Sequence, residues 1–167
     1  MKISRAMRNE ISAADVYEMS TTERFQEKKC QDAGALSWDV TVERRSDDTA
    51  VVKTKRKLPT VGFPSLLRKF VPSGVTSTET IAWGPASPDG SRVGRLSVDF
   101  HGAPASLKGT ISIVPEGATA STVRVEAEFK AHVPLVGGKI EGIAAPIIIG
   151  VIDAEEATGK AWAAGAR

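Results

Sequence analysis

The stretch "VPLVGGKIEGIAAPIIIGVIDAEEATG", residues 133–159, carries an unbroken apolar run from Ile143 to Ile152. Drawn as a helix, the run is apolar on every side. A membrane anchor, a buried core helix or the wall of a cavity would each account for it. Length removes the first: ten helical residues span about 15 Å, whereas a bilayer core needs about 30 Å. Lys139 and Glu141 before the run, and Asp153, Glu155 and Glu156 after it, block its extension. Ile140, Ile143, Ala144, Ile147, Ile148, Val151, Ile152 and Glu155 recur at offsets of three and four, and the pattern ends near Trp162. Pro146 removes one backbone donor, so a kink or a late helix start is expected.

Such a helix needs cover, and the upstream sequence supplies it as strands. In "TVRVEAEFKAHV" Val123, Val125, Ala127, Phe129, Ala131 and Val133 alternate with Arg124, Glu126, Glu128, Lys130 and His132, a period of two that no helix shares. The same period runs through "LSWDVTVE", where Leu36, Trp38, Val40 and Val42 share a face. It continues through "AVVKTKRKL" after the polar turn at Ser46, Asp47 and Asp48, and through "VTSTETIAW", "VGRLSVDF" and "SLKGTISIV". Between the second and third of these, "PTVGFPSLLRKFVPSG" is too rich in Pro and Gly for a strand. It reads as a loop with a short helix capped by Ser65, long enough to act as a lid.

At the other end, "MKISRAMRN" reads as a strand. Ser12 then offers an N-cap oxygen with Asp15 three residues on. Thr21 or Thr22 starts a second short helix, with Glu23 early, Lys28 and Lys29 late and Gly34 just past its end.

One strand, two short helices, a six-strand antiparallel meander and a long last helix resemble the helix-grip fold of the START-like superfamily. That group includes the Bet v 1 allergens, polyketide cyclases and aromatases, and lipid-transfer domains. Through "MKISRAMR" and "HVPLVGGKIEG" the chain is similar to an uncharacterised actinobacterial family of that superfamily. The resemblance implies an α+β fold over residues 1–167: a curved seven-strand antiparallel sheet wrapped around the C-terminal helix, with an apolar cavity between them. One departure is plain. Bet v 1 proteins have a glycine-rich loop between their second and third strands where this chain has "RRSDDT", so ligand contacts made by that loop do not carry over. No cyclase motif aligns here, so no catalytic residue carries over either.

Composition bounds the rest. The 167 residues fit one domain, which at this size buries roughly 70% of its unfolded surface. A net charge of +2, from 22 basic and 20 acidic side chains, is too balanced for a dedicated nucleic-acid binder. Cys30 is the only cysteine. It permits no intrachain disulfide and no thiolate cluster, and points to a reducing compartment. The N-terminal residues lack an apolar run of signal-peptide length, so a cytoplasmic location is expected.

The usual catalytic spellings are missing. There is no G-x-S-x-G elbow and no G-x-G-x-x-G, and "VGGKIEG" has Ile140 where a phosphate-binding loop needs Ser or Thr. Gly137 and Gly138 are expected to form a tight strand-to-helix turn instead. His101 and His132 fall at strand ends on polar faces without a metal-spaced partner, so no metal, cofactor or catalytic residue is assigned. Lys53, Lys55 and Lys57 line one sheet face. They read as a solvated outer surface that discourages edge pairing, with weak contact to an anionic membrane surface as the alternative.

More informative are polar residues that the period places among apolar ones: Ser77 and Glu79 beside Val75, Ile81 and Trp83, and Arg56 on the inner face of its strand. Buried charges must be paired or hydrogen-bonded. Arg56 and Glu79 are therefore expected either to pair inside the cavity or to orient an apolar ligand, unless a bulge turns them to water. The candidate lining is Trp38, Arg56, Glu79, Ile81, Trp83, Val98, Phe100, Ile111, Phe129, Ile143 and Ile147. The expected partner is a hydrophobic small molecule or lipid. The alternatives are a cyclase or aromatase-type enzyme using the same cavity, and a protein interaction module with a filled interior. Oligomeric state is left open.

Overall fold

A computed structural model describes residues 1–166. The elements run β1 (Lys2–Asn9), α1 (Ala13–Ser20), α2 (Glu23–Asp32), β2 (Ser37–Arg44), β3 (Ala50–Leu58), α3 (Ser65–Arg68), β4 (Val75–Trp83), β5 (Arg92–His101), β6 (Ala105–Pro115), β7 (Ser121–Ala131) and α4 (Gly137–Ala163). The strands form one antiparallel sheet in the order β1-β7-β6-β5-β4-β3-β2. Six strands thus follow one another as a meander, and β1 closes the sheet beside β7. Together with the long last helix this is the expected helix-grip architecture.

The alternation read from the sequence sets which face is covered. Along β7, Val125, Ala127, Phe129 and Ala131 are buried while Arg124, Glu126, Glu128 and Lys130 are exposed. On β3, Val52, Thr54 and Arg56 are buried whereas Lys53 and Lys55 face outward. At Gly109, opposite Ala127, β6 passes unusually close to β7. A Cβ there would lie 2.1 Å from the Glu126 carbonyl oxygen and 2.5 Å from the Ala127 Cα, so only glycine permits this approach of β6 to β7.

Of the two short helices α1 begins as its sequence dictates, whereas α2 starts after Thr22 with no side-chain cap, the Thr22 hydroxyl donating back to the Glu18 carbonyl. The Ser12 hydroxyl accepts the Asp15 amide at 3.1 Å and caps α1. Gly34 takes φ +69° just past α2, the left-handed stop that glycine adopts without a Cβ penalty. In α3 the capping position falls on Pro64, with no side-chain hydrogen bond, and Ser65 is the first helical residue.

The turn into α4 differs from expectation. Its left-handed residue is Leu135, at φ 67°, not a glycine. Gly137 is required for a different reason: a Cβ there would come within 2.7 Å of the Ala131 carbonyl oxygen. Glu141, one turn on, accepts the Ala131 amide at 3.1 Å and ties the helix start to the end of β7. From there α4 continues through Pro146 without a late start. It packs mainly on β7 and β1 and against α2 and α3, which leaves a gap between it and the middle of the sheet. No helix among the described residues is long and apolar enough to cross a membrane.

Candidate functional site

The gap is a cavity of about 280 Å³, close to the lower end of small-molecule sites. Its walls come from four directions. The inner faces of β3 to β7 contribute one wall and α4 the opposite one, α2 closes one side, and Phe63, Leu67, Phe70 and Val71 of the α3 loop contribute the last. On α4 the lining residues include Ile140, Ala144, Ile147, Ile148, Val151, Ile152 and Glu155. Ile147, Ile148, Val151 and Ile152 are only half-buried, because one of their sides meets the cavity and not packed protein. The all-round apolar character of the run follows from this position: sheet and short helices hold part of the helix, and the rest faces apolar space.

Eight of the eleven expected residues line the cavity. Arg56, Glu79, Ile81 and Val98 come from β3, β4 and β5, and Phe100, Ile111, Phe129 and Ile147 from β5, β6, β7 and α4. Phe100 and Phe129 meet edge to face, with centroids 5.8 Å apart, the geometry that ring quadrupoles favour.

Three residues are placed elsewhere. Trp38 pairs with Arg56 across β2 and β3, but β2 is the sheet's outer edge and the cavity does not reach it. The indole is 38% exposed. Trp83 is core instead, 2% exposed and edge to face with Tyr17 at 6.0 Å. Ile143 is half-buried against the hydrophobic core on a flank of α4 that misses the cavity.

Arg56 and Glu79 do face inward, since the β3–β4 register runs without a bulge from Ala50 to Leu58. They do not form the simple pair expected. The Arg56 Nη2 donates to Glu155 Oε1 at 2.8 Å, and Lys29 Nζ lies 3.0 Å from Glu155 Oε2 and 3.6 Å from Glu79 Oε1. Lys29 also donates to Gln26 Oε1 at 3.2 Å. Two cations and two carboxylates from α2, β3, β4 and α4 thus form one cluster in the cavity wall.

The electrostatics follow from this arrangement. Burial pushes the Glu155 carboxyl up, but Lys29 and Arg56 outweigh it and hold its pKa down at about 2. Burial alone would lower the Lys29 pKa, and the carboxylates of Glu155 and Glu79 reverse that and raise it. Cys30, fully buried next to this group, has its thiol pushed up by burial, which argues against a reactive thiolate.

Lys29 and Glu155 are the site residues that reading by strand missed. Glu155 carried a signal, since it falls on the apolar stripe of α4 three residues after Ile152. Lys29 resembled a cation at a helix C-terminus. Yet Phe25, Gln26, Lys29 and Cys30 are the buried residues of α2, and their spacing of one and four is a helix face.

His101 and His132 are exposed, His101 bonded to Thr78 and His132 to Ser106. Among the described residues no group of His, Cys, Asp and Glu is placed to hold a metal.

The family described as "Protein of unknown function (DUF2505)" matches over residues 6–163. No curated protein matches the chain. Among solved structures, norcoclaurine synthase from Thalictrum flavum superposes with a TM-score of 0.61 at 12% identity, covering 100% of this chain and 95% of that one. The Zhui aromatase/cyclase from Streptomyces sp. R1128 gives 0.59 at 10%, covering 100% and 99%. A START superfamily protein from Mycobacterium smegmatis gives 0.53 at 13%, covering 93% and 94%. At these identities the likeness is one of fold, the START-like helix-grip fold.

Proposed function

Because the chain belongs to this family of unknown function, its activity has to be read from its own cavity, and we propose that it is a cytoplasmic protein that binds a hydrophobic small molecule or lipid between sheet and α4. One observation carries the reading: side chains leave about 280 Å³ unfilled behind a mostly apolar lining, although protein interiors normally pack to crystal-like density. Apolar surface that the side chains leave unpacked is surface available to an apolar guest. Shape and desolvation supply the affinity, and the charged cluster at Glu79 and Glu155 gives the guest a polar end to orient against. The interaction-module alternative expected a collapsed cavity and an exposed apolar patch, and the unfilled volume supports the binding reading over it.

A second reading is favoured by Glu79, a carboxylate on an apolar cavity wall. It could serve as acid or base in chemistry of the cyclase or aromatase type, which requires a proton acceptor within reach of a folded substrate.

Native mass spectrometry of the protein purified from its own cells separates these readings. A co-purifying apolar molecule recovered unchanged after incubation supports binding, and conversion of that molecule supports the enzyme. A protein that carries nothing and takes up no apolar probe overturns both.

A further inference from the structure

The charged cluster specifies more than polarity. Three carboxylates line the cavity: Glu79, Glu155 and Glu156. Glu155 has both oxygens engaged, one by Arg56 and one by Lys29, and Glu156 pairs with Lys160. Glu79 differs. Among the described residues it accepts no hydrogen bond, and its nearest cation, Lys29, stands at 3.6 Å, beyond good hydrogen-bond distance. Its side chain is only 16% exposed. Its oxygens are not sealed inside the protein but open on the cavity, where a carboxylate keeps lone pairs for a donor on a guest.

From this cavity-facing acceptor we infer that the ligand is an amphiphile with a neutral hydrogen-bond-donating head, such as a hydroxyl or phenol, which donates to the Glu79 carboxylate. The inference rests on the cavity-binding reading and narrows it. Charge balance selects the neutral head. Lys29 and Arg56 offset Glu79 and Glu155, and each cation already carries a carboxylate. The Arg56 Nε is sealed from the cavity and unpartnered, so it is not available to a guest. An anionic head would meet Glu79 without a free counter-charge. A cationic head would meet Lys29 beside the same carboxylate. A hydroxyl adds the missing donor and leaves the balance intact.

Isothermal titration at neutral pH with three probes of equal chain length, 1-decanol, decanoate and decylamine, tests this. Decanol is expected to bind at least about tenfold more tightly than either ion, as a hydrogen bond to a charged acceptor provides. Glu79→Leu is expected to weaken decanol about tenfold and, because it leaves two cations facing one carboxylate, to shift the preference toward decanoate. Equal affinities for the wild type, or an unchanged decanol affinity in folded Glu79→Leu, overturn the inference and leave the cavity reading standing. Binding by none of the three removes that reading, and the head-group inference with it. Should Glu79→Leu fail to fold by circular dichroism, Glu79→Gln replaces it. Its amide can donate to a carboxylate, so the gap between decanol and decanoate should shrink, and an unaltered gap overturns the inference.

Discussion

Glu155 is the residue on which both cations converge, one from α2 and one from β3. Its folded pKa of about 2 lies below the ordinary 4.5. For a lowered carboxylate the stabilisation is fully present above the unfolded pKa and fades as pH falls toward the folded one. Urea midpoints should therefore decline between about pH 4.5 and pH 2. Lys29→Met provides the control. It leaves Glu79 without its cation and Glu155 with only Arg56, and a broken buried pair costs about 3 kcal/mol. The variant should lose about that much at neutral pH, and its acid transition should begin at higher pH because one cation no longer holds Glu155 down. An acid profile that does not move in Lys29→Met would show that Lys29 does not act on Glu155.

Among the elements, α4 is built against its own sequence at Pro146. The residue lies in the helix interior, where it has no N–H to donate to the Gly142 carbonyl, and its ring crowds that turn. The exposed positions of both Gly142 and Pro146 let water satisfy the orphaned carbonyl, which explains why, of the kink or late start expected, the late start does not occur and the helix continues through the proline. Pro146→Ala restores the donor and should raise stability by about 1 kcal/mol or more, read as a higher Tm with unchanged ligand affinity. A lower Tm would mean that the proline sets a bend the cavity needs. β2 shows the opposite limit of element-level reasoning. Its alternation put Trp38 on the correct face, but the period of a strand says nothing about whether that strand is central or at an edge. Only the sheet order makes Trp38 exposed.

For the whole molecule, the period-two strands and the apolar last helix made the architecture legible, since each states locally which face must be covered. The cavity wall was legible wherever a polar residue interrupted a strand's apolar face, at Arg56 and Glu79. The partners of those residues were not, because Lys29 and Glu155 reach them from helices distant in the chain. Nor can a sequence state that an interior is left unfilled, because apolar side chains that pack together and those that line a void have the same composition. Val98→Phe measures that difference. Val98 faces the cavity on β5, opposite Glu79 on β4. In a packed core the larger side chain would force strain and cost about 1–3 kcal/mol. In an open cavity the ring fits unfilled volume and buries further apolar area, so stability should hold or rise slightly. Affinity for an apolar probe should then fall about tenfold or more as the guest's space is taken. Loss of stability with no change in probe binding would place the open volume away from Val98 and the binding site with it.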